Sequence, residues 1–287
     1  MHLRILIPIM SNPLATYTFD VLDRPGLTLS ALARQELVQE FRALAATALD
    51  PVPDYQCLSM APNALDDKVI VVMRDKQTKR IAAFISAIYL QIPLEAGASP
   101  STVLHAGLTC MPAALFRQGL VGPLFFHLFS HLRARPESAQ GMWVTGLGEV
   151  PNVLVELGQY PSDVYPGPER SAPSETHKLI AKAVDKRYRE AMLISPTAQF
   201  DEAAFVFRGS NPPGSCFRKD PRDRRFHHKD KAANELYLKL LGGDEGNEVL
   251  LVAFLDWKKV FRKTGSVRPK DSKTQVCHSV AWKDERC

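Results

Sequence analysis

The order of hydrophobic and polar positions along the first 160 residues predicts a mixed α/β domain. Residues 29–49 place apolar side chains at helical spacing and contain neither glycine nor proline. Two runs rich in β-branched residues, 68–74 and 81–91, flank a polar turn and predict a β-hairpin. The pattern then predicts, in order, strand 102–111, helix 120–133, strand 142–147 and helix 152–160. Because a helix connects these two strands, we expect them to be parallel.

The pattern after residue 165 predicts fewer regular elements. A stretch rich in proline and serine, 166–174, resembles a linker. The elements predicted downstream are helix 175–193, strand 203–208, helix 231–241 and strand 248–255. Two strands are too few for an independent sheet, so we expect them to extend the first one. High charge and weak periodicity predict that 209–230 and 263–287 are mobile.

These patterns divide the chain into three predicted parts. Residues 1–165 form an α/β core, 166–262 an elaboration packed on or completing the core sheet, and 263–287 a basic, disordered tail. The chain has 287 residues, of which 45% are hydrophobic, so it can bury a sizeable core. This composition excludes a peptide hormone, a collagen-like chain and a wholly disordered protein.

The net charge of +5 comes from two late segments. Residues 216–231 hold seven Lys or Arg against three Asp, and residues 258–287 hold nine against three acidic residues. Phenylalanines lie among these basic residues, a mixture typical of a surface that contacts nucleic acid. The same charges are also typical of solvated loops, or of a rim that attracts a phosphorylated ligand or an acidic partner.

The cysteines and the start of the chain bear on the compartment. Five scattered cysteines without a CxxC pair indicate neither a disulfide framework nor a cysteine zinc site. No apolar run has the ~18 residues that a membrane helix needs. The apolar opening, 1–13, is short, broken by Pro8 and without a cleavage site, which favours a first strand or ordered arm over a signal peptide. We expect a cytoplasmic protein, with the nucleus as an alternative, and no membrane partner.

The most informative stretch joins strand 102–111 to helix 120–133. The loop between them contains Arg117, Gly119 and Gly122. A glycine-bearing loop and the N-terminus of a helix together present backbone N–H groups and a positive dipole end, which suits a phosphate or pyrophosphate. The stretch contains neither a P-loop nor a dinucleotide GxGxxG motif. A crossover loop whose glycines only fit a tight turn is the alternative.

This stretch resembles the signature of the GNAT acetyltransferase superfamily. Met111-Pro112 resembles the hydrophobic residue and proline at the strand end, and the run 116–121 resembles the [Q/R]-x-x-G-x-[G/A] loop. The resemblance implies a mixed, mostly antiparallel sheet flanked by helices, with acetyl-CoA or another acyl-CoA as co-substrate. The sequence departs from the signature at Phe116, at Val121 and in a spacing that is one residue longer. The resemblance implies these cofactor contacts: Thr109, Cys110, Met111, Arg117, Gln118, Gly119, Leu120, Val121, Gly122 and Asn152.

The resemblance also implies an acid and a base near the thioester. His105, on the strand before the loop, is the candidate base, because an ordinary histidine pKa of about 6.5 suits that work. Tyr160 is the candidate acid for the leaving thiolate, and Tyr165 competes for the role. A solvent-facing histidine and packed tyrosines are the alternatives. His127 and His131 are spaced for a shared ligand but lack a third partner, so no metal site is predicted.

Three functions remain open at this stage. The first is an acyl-CoA-dependent N-acyltransferase that acts on a small-molecule or peptide amine, by direct attack of the amine on the thioester. The second is a GNAT-like binding or accessory protein without activity, which the departures at Phe116 and Val121 would explain. The third is a nucleic-acid-associated protein that uses the basic segments. The sequence gives no indication of the acceptor or of the oligomeric state.

Overall fold

The computed structural model describes residues 13–116 and 118–265. Nine strands lie within these ranges: β1 (Tyr17–Asp23), β2 (Lys68–Asp75), β3 (Ile81–Ile92), β4 (Ser101–Cys110), β5 (Met142–Gly148), β6 (Ser162–Tyr165), β7 (Gln199–Asp201), β8 (Val206–Arg208) and β9 (Glu248–Leu255). The α-helices in the same ranges are α1 (Pro25–Thr28), α2 (Ala31–Ala45), α3 (Ala113–Phe116), α4 (Val121–Arg133), α5 (Pro151–Gly158), α6 (Glu175–Ala183), α7 (Lys231–Leu241) and α8 (Trp257–Gly265). None of the helices in these ranges combines the length and the apolar character that crossing a bilayer requires.

The nine strands form one sheet in the order β1-β2-β3-β4-β5-β9-β8-β7, and β6 pairs with β9. Every pair of neighbours is antiparallel except β4 and β5, which are parallel. Helix α4 makes the crossover between these two strands, as the sequence pattern predicts. The predicted fold class, a mixed and mostly antiparallel sheet flanked by helices, is confirmed.

The side chains of β2 alternate between the two layers of the core, one on each face of the sheet. In β2, Val69 and Val71 pack in the cluster that contains α4, whereas Ile70 and Val72 pack in the cluster that contains α2. Successive side chains of a strand point to opposite faces, so α2 and α4 cover opposite faces of the sheet. Ser30 caps helix α2, because its Oγ accepts a hydrogen bond from the N–H of Ala33 at 3.3 Å.

Strand β9 places the second half of the chain inside the first sheet. It pairs with β5 over seven residues on one side and with β6 and β8 on the other. The sheet therefore continues across the boundary predicted at residue 165. Strands β1, β6 and β7 were not predicted, because β6 and β7 are short and β1 has alternating half-exposed positions without a long apolar run.

Two expectations about later segments differ from the structure. The helix predicted over 175–193 ends at Ala183 and continues as a wide turn over Val184–Tyr188 and a tight turn over Glu190–Met192. The expectation that 209–230 is mobile is wrong, because Phe217 and Phe226 anchor this segment at about 9% exposure each. The predicted tail 263–287 overlaps α8 up to residue 265, and the rest of it lies outside the described residues.

Candidate functional site

The parallel strands β4 and β5 separate partway along their length. Their ladder joins Leu104 to Val144, His105 to Thr145 and Ala106 to Gly146. Beyond these pairs, β4 continues along β3 to Cys110, while β5 continues along β9 to Gly148. The carboxyl ends of the two strands therefore diverge, and a V-shaped gap opens between them.

A β-bulge lies in β4 where the gap begins. Ala106 of β4 pairs with Ala87 of β3, and Thr109 pairs with Ile85. Three steps along β4 therefore correspond to two steps along β3. A bulge leaves one residue without its ladder partner and re-aims the backbone, and such irregularities often lie beside active sites. Gly107, inside the bulge, is needed because a Cβ there would lie 2.2 Å from Nε2 of Gln56.

The N-terminus of α4 follows the splayed end of β4. Gly119 has a φ of +71°, a conformation that glycine adopts without strain. Among the residues that the structure describes, no side chain caps the first turn of α4, and none lies within 4 Å of a Cβ added at Gly122. Unfilled N–H groups and an open backbone at the positive end of a helix dipole suit an anionic ligand. The splayed parallel pair, the bulge and the helix that follows complete the pattern. The fold is GNAT-like.

Comparison with known proteins finds similarity among solved structures. No family model matches the chain, and no curated protein matches it significantly. The Arabidopsis thaliana NAA60 complex with acetyl-CoA aligns over 45% of this chain and 74% of its own, with 11% identity and a TM-score of 0.32. The aminoglycoside acetyltransferase meta-AAC0020, from an uncultured soil metagenomic sample, aligns over 41% of this chain and 70% of its own, with 14% identity and a TM-score of 0.27. Glucosamine-6-phosphate N-acetyltransferase from Arabidopsis thaliana aligns over 42% and 76%, with 14% identity and a TM-score of 0.27.

A cavity of about 40 Å³ lies at the vertex of the GNAT-like gap. Strand β4 contributes His105 to its lining, and the segment after β5 contributes Glu149 and Val150. The loop after α2 contributes Tyr55, and distant segments close the cavity. The residues from those segments are Met192, Leu193, Asn211, Phe217, Lys219 and Glu248. The volume has room for one or two water-sized groups, so it suits the reacting end of a substrate and not a whole one.

His105 is buried at the vertex with 1% exposure. Its Nδ1 lies 3.0 Å from Oγ1 of Thr145, and its Nε2 lies 3.5 Å from the hydroxyl of Tyr55. Burial, and secondarily the charge of Lys68, lowers the pKa of His105 to about 3. The imidazole is therefore neutral near pH 7, and it is a much weaker base than an ordinary histidine.

A hydrogen-bonded chain holds Tyr55 over the bulge. Ser86 Oγ donates to Oε1 of Gln56 at 2.9 Å, and Nε2 of Gln56 donates to the hydroxyl of Tyr55 at 3.4 Å. Gln56 has a φ of +54°, which costs energy for a residue other than glycine and must be held by its surroundings. Burial raises the pKa of Tyr55, so the hydroxyl keeps its proton.

Two carboxyl groups face the same cavity. Glu149, directly after β5, is 5% exposed, and its Oε2 accepts a hydrogen bond from Nδ2 of Asn211 at 2.9 Å. Its Oε1 is buried and has no hydrogen-bond partner in the described part of the chain. Glu248, the first residue of β9, accepts a hydrogen bond from the hydroxyl of Ser210. Burial raises the pKa of both groups, and the charge of Glu248 raises that of Glu149 further.

The structure distributes the predicted cofactor contacts along the gap and its rim. Thr109 and Cys110 at the end of β4, and Met111 directly after it, are buried at the splayed end, and burial raises the pKa of the Cys110 thiol to about 12. Gln118 and Gly119 are exposed on the loop, whereas Leu120 and Val121 are buried at the start of α4. Asn152 is buried in the first turn of α5, where its side-chain oxygen accepts from the N–H of Val153 at 2.8 Å. Arg117 lies outside the described residues.

The two predicted acids lie in different surroundings, and neither lines the cavity. Tyr160 packs against Phe125 and Phe129 of α4, with ring centroids 6.0 and 5.8 Å away, and burial raises its pKa. The hydroxyl of Tyr165 donates to the carbonyl of Ala203 at 2.8 Å. Tyr160 therefore lies on the face of the sheet that α4 covers, with a hydroxyl for which no hydrogen bond is recorded among the described residues.

Sequence reasoning missed most of the cavity. It singled out His105 but not Tyr55, Glu149, Lys219 or Glu248. One signal was available for Glu149, which follows a predicted parallel strand directly, at the end of the sheet where ligands usually bind. The other three come from loops and a strand far away in sequence, and only the tertiary fold brings them together.

The histidine pair and the basic segment have structural partners. His127 stacks on Phe19 at 4.7 Å, and His131 Nε2 lies 3.0 Å from Oδ2 of Asp23. The described ranges contain no group of three side chains able to hold a metal ion.

In the segment 216–231, three arginines have acidic neighbours, in the pairs Arg218–Glu245, Arg222–Asp220 and Arg225–Asp223. These pairs neutralise part of the charge that suggested nucleic-acid binding.

Proposed function

We propose that the chain is an acyl-CoA-dependent N-acyltransferase, with acetyl-CoA as the acyl donor and an amine as the acceptor. One observation carries the proposal: the parallel strands β4 and β5 separate at a bulge, and the diverging end leads directly to the uncapped N-terminus of α4. An extended thioester arm can pair with backbone exposed in such a gap, while its pyrophosphate lies at the helix terminus. The motif resemblance around Met111 and the loop 116–121 supports the same assignment.

The backbone supplies most of the binding. The N–H groups of residues 119–122 hold the pyrophosphate, and Gly122 lets it approach closely. The splayed residues Thr109 to Met111 pair with the pantetheine arm. The bulge at Gly107 directs an unpaired backbone N–H toward the thioester carbonyl, where it stabilises the negative charge that develops on the oxygen.

The proton chemistry uses the cavity. The acceptor nitrogen attacks the thioester carbonyl carbon, the C–S bond breaks, and the proton lost by the nitrogen passes to the carboxylate of Glu149. A carboxyl group whose pKa is raised is better matched to an amine than an ordinary one, because the proton transfer is closer to balanced. Neutral His105 positions Tyr55 and Thr145, and Tyr160 donates a proton to the leaving thiolate.

Calorimetric titration with acetyl-CoA tests the proposal, with one variant on the loop and one matched control. Gly122→Asp puts a negative charge in the first turn of α4, where it favours the helix but repels a pyrophosphate. Its Cβ meets no neighbour, so the variant folds. Ala31→Asp puts the same charge in the first turn of α2. We expect micromolar binding by the wild type and the control, and at least a tenfold loss in Gly122→Asp.

Two results would overturn the proposal. One is the absence of acetyl-CoA binding below millimolar concentration in the wild type. The other is equal affinity in Gly122→Asp and Ala31→Asp, because the ligand would then not use the N-terminus of α4.

A further inference from the structure

The charges that line the cavity do not balance. Glu149 and Glu248 contribute two carboxyl groups, and Lys219 is the single lysine or arginine among the described lining residues. His105 is neutral, and Tyr55 keeps its proton. With both carboxyl groups ionised, the cavity has one negative charge in excess.

Without a ligand, a proton compensates this excess. Burial raises the pKa of both groups, and the charge of Glu248 raises that of Glu149 further, so the pair retains a proton that separate, solvated glutamates would lose. Two other ionisable groups lie near the pair. The charge of Lys219 lowers the pKa of both carboxyl groups. The charge of Glu149, in turn, raises the pKa of the Cys216 thiol.

One carboxyl oxygen is positioned for a ligand. Within the described ranges, Oε1 of Glu149 is buried without a hydrogen-bond partner, although the same side chain is anchored through Oε2 by Asn211. The backbone N–H of Lys219 also lies near this carboxyl group and lowers its pKa. A buried oxygen without a donor costs stability, and Asp23, Asp66 and Glu156 also have one. Of these four residues, Glu149 is the one that lines the cavity, where a ligand can supply the missing donor.

The remaining walls suit an alkyl chain. Tyr55 and Phe217 meet edge to face with ring centroids 5.9 Å apart, and Met192 and Leu193 line the same cavity. Aromatic and aliphatic surface beside a carboxylate pair accommodates a cationic nitrogen and the carbon next to it, and the rest of a longer alkyl chain extends out of the cavity.

We propose that Glu149 and Glu248 form a binding site for one alkylammonium ion, which the protein takes up in exchange for a proton. The ammonium donates hydrogen bonds to Oε1 of Glu149, and its charge replaces that of the released proton. A ligand with a carboxylate or phosphate near its nitrogen is excluded, because the cavity already has an excess of negative charge. The identification of this ammonium as the acyl acceptor rests on the proposed function, and it requires the ion to give one proton to the carboxylate pair before its nitrogen has the lone pair that attacks the thioester.

Calorimetry in two buffers of different ionisation enthalpy tests the exchange, because the difference in heat counts the protons released. The probes are n-butylammonium, its neutral analogue n-butanol, and γ-aminobutyrate, which carries a carboxylate. Near neutral pH, we expect butylammonium to bind at least about tenfold more tightly than either analogue and to release up to about one proton per ligand.

The variants Glu149→Gln and Glu248→Gln keep the shape of the side chains and remove one carboxyl group each. We expect each to weaken butylammonium binding by about tenfold or more and to reduce the proton release. Glu175→Gln, at a side chain that is 84% exposed, is the matched control and changes neither quantity.

Acetyl-CoA titration of the same proteins separates this inference from the proposed function. Equal affinity for butylammonium and butanol, or binding without proton release, overturns the ammonium site even where acetyl-CoA binds. Ammonium binding with proton release in a protein that does not bind acetyl-CoA upholds the site and overturns the acyltransferase assignment. The proton count of the wild type needs no variant, so the test does not depend on the folding of a mutant.

Discussion

Two carboxylate clusters on this sheet differ in how their charge is balanced. In the first, at the end of β1, Asp23 forms an ion pair with Arg135, and its Oδ2 lies 3.0 Å from Nε2 of His131. Arg135 also lies 4.7 Å above the ring of Tyr89. In the second, at the splayed end of β5, two carboxyl groups share the field of Lys219.

This difference distinguishes charged groups that stabilise the fold from charged groups that are retained for binding or reaction. Arg135 is held by the pairs it forms, and its charged neighbours raise its pKa although burial opposes the rise. The cluster at Asp23 therefore ties β1, β3 and the end of α4 together. The pair of Glu149 and Glu248 costs the folded protein stability, and a protein retains such a cost mainly at sites that bind or react.

Glu149→Gln is expected to have the largest effect on activity. Loss of a positioned proton acceptor lowers kcat/KM for acyl transfer by about hundredfold, at the low end of the range for general bases. Steady-state release of free CoA thiol measures the rate, and Glu175→Gln is the control. Full activity in Glu149→Gln would place the proton acceptor elsewhere and remove the contrast between the two clusters.

Arg135→Ala is expected to have the largest effect on stability. It leaves Asp23 with one partner fewer and removes the contact with Tyr89, at a cost of about 2 kcal/mol in the free energy of unfolding. Urea denaturation measures the loss, and acetyl-CoA affinity should not change. A loss of affinity without a loss of stability would show that the Asp23 cluster also serves the ligand.

The two tyrosines predicted as acids provide an intermediate test. Tyr160→Phe should lower kcat about tenfold while leaving stability nearly unchanged, because no hydrogen bond of its hydroxyl is recorded among the described residues. Tyr165→Phe should leave kcat unchanged and cost about 1 kcal/mol of stability, because its hydroxyl donates to the Ala203 carbonyl. Thiol release and urea denaturation of both variants measure the difference. If Tyr165→Phe lowered kcat instead, and Tyr160→Phe lowered only stability, Tyr165 would be the acid and Tyr160 a structural residue.

The smallest expected effect is a gain in stability. A carboxyl group whose pKa is raised by folding stabilises the protein most below its unfolded pKa of about 4.3, and this contribution is lost as the pH rises through the folded pKa. Glu248→Gln removes this loss, so the variant should be about 1 kcal/mol more stable than the wild type in mildly alkaline buffer and show a flatter dependence on pH. Urea denaturation across that pH range measures it. A variant that is less stable at every pH would show that neighbouring groups stabilise the negative charge of Glu248 as well as Arg135 stabilises that of Asp23.

Local patterns predicted most elements of the core. The β-hairpin, strand 102–111, the crossover helix and its parallel partner follow from periodicity and from the handedness of a strand–helix–strand unit. Their ends differ from the observed elements by one or two residues, as at β4 (Ser101–Cys110) and α4 (Val121–Arg133). The motif around Met111 lies between β4 and α4 in the structure, and its role as a ligand loop stays a prediction.

The cavity could not be predicted in the same way. It depends on β9 lying beside β5, which brings Glu248 next to Glu149, and on Phe217 holding a charged loop against Tyr55. These contacts join residues more than 90 positions apart, and no periodicity encodes them. The base strength of His105 also depended on burial, which the alternating pattern of one strand did not reveal.

Hydrogen–deuterium exchange with and without acetyl-CoA tests the central claim most directly. If the thioester arm lies in the gap between β4 and β5, the ligand slows exchange in the amides of residues 107–110 and 119–122, while β1 and the region around Asp23 stay unchanged. Unchanged exchange in 107–122 under saturating acetyl-CoA, or protection confined to another part of the sheet, would contradict it.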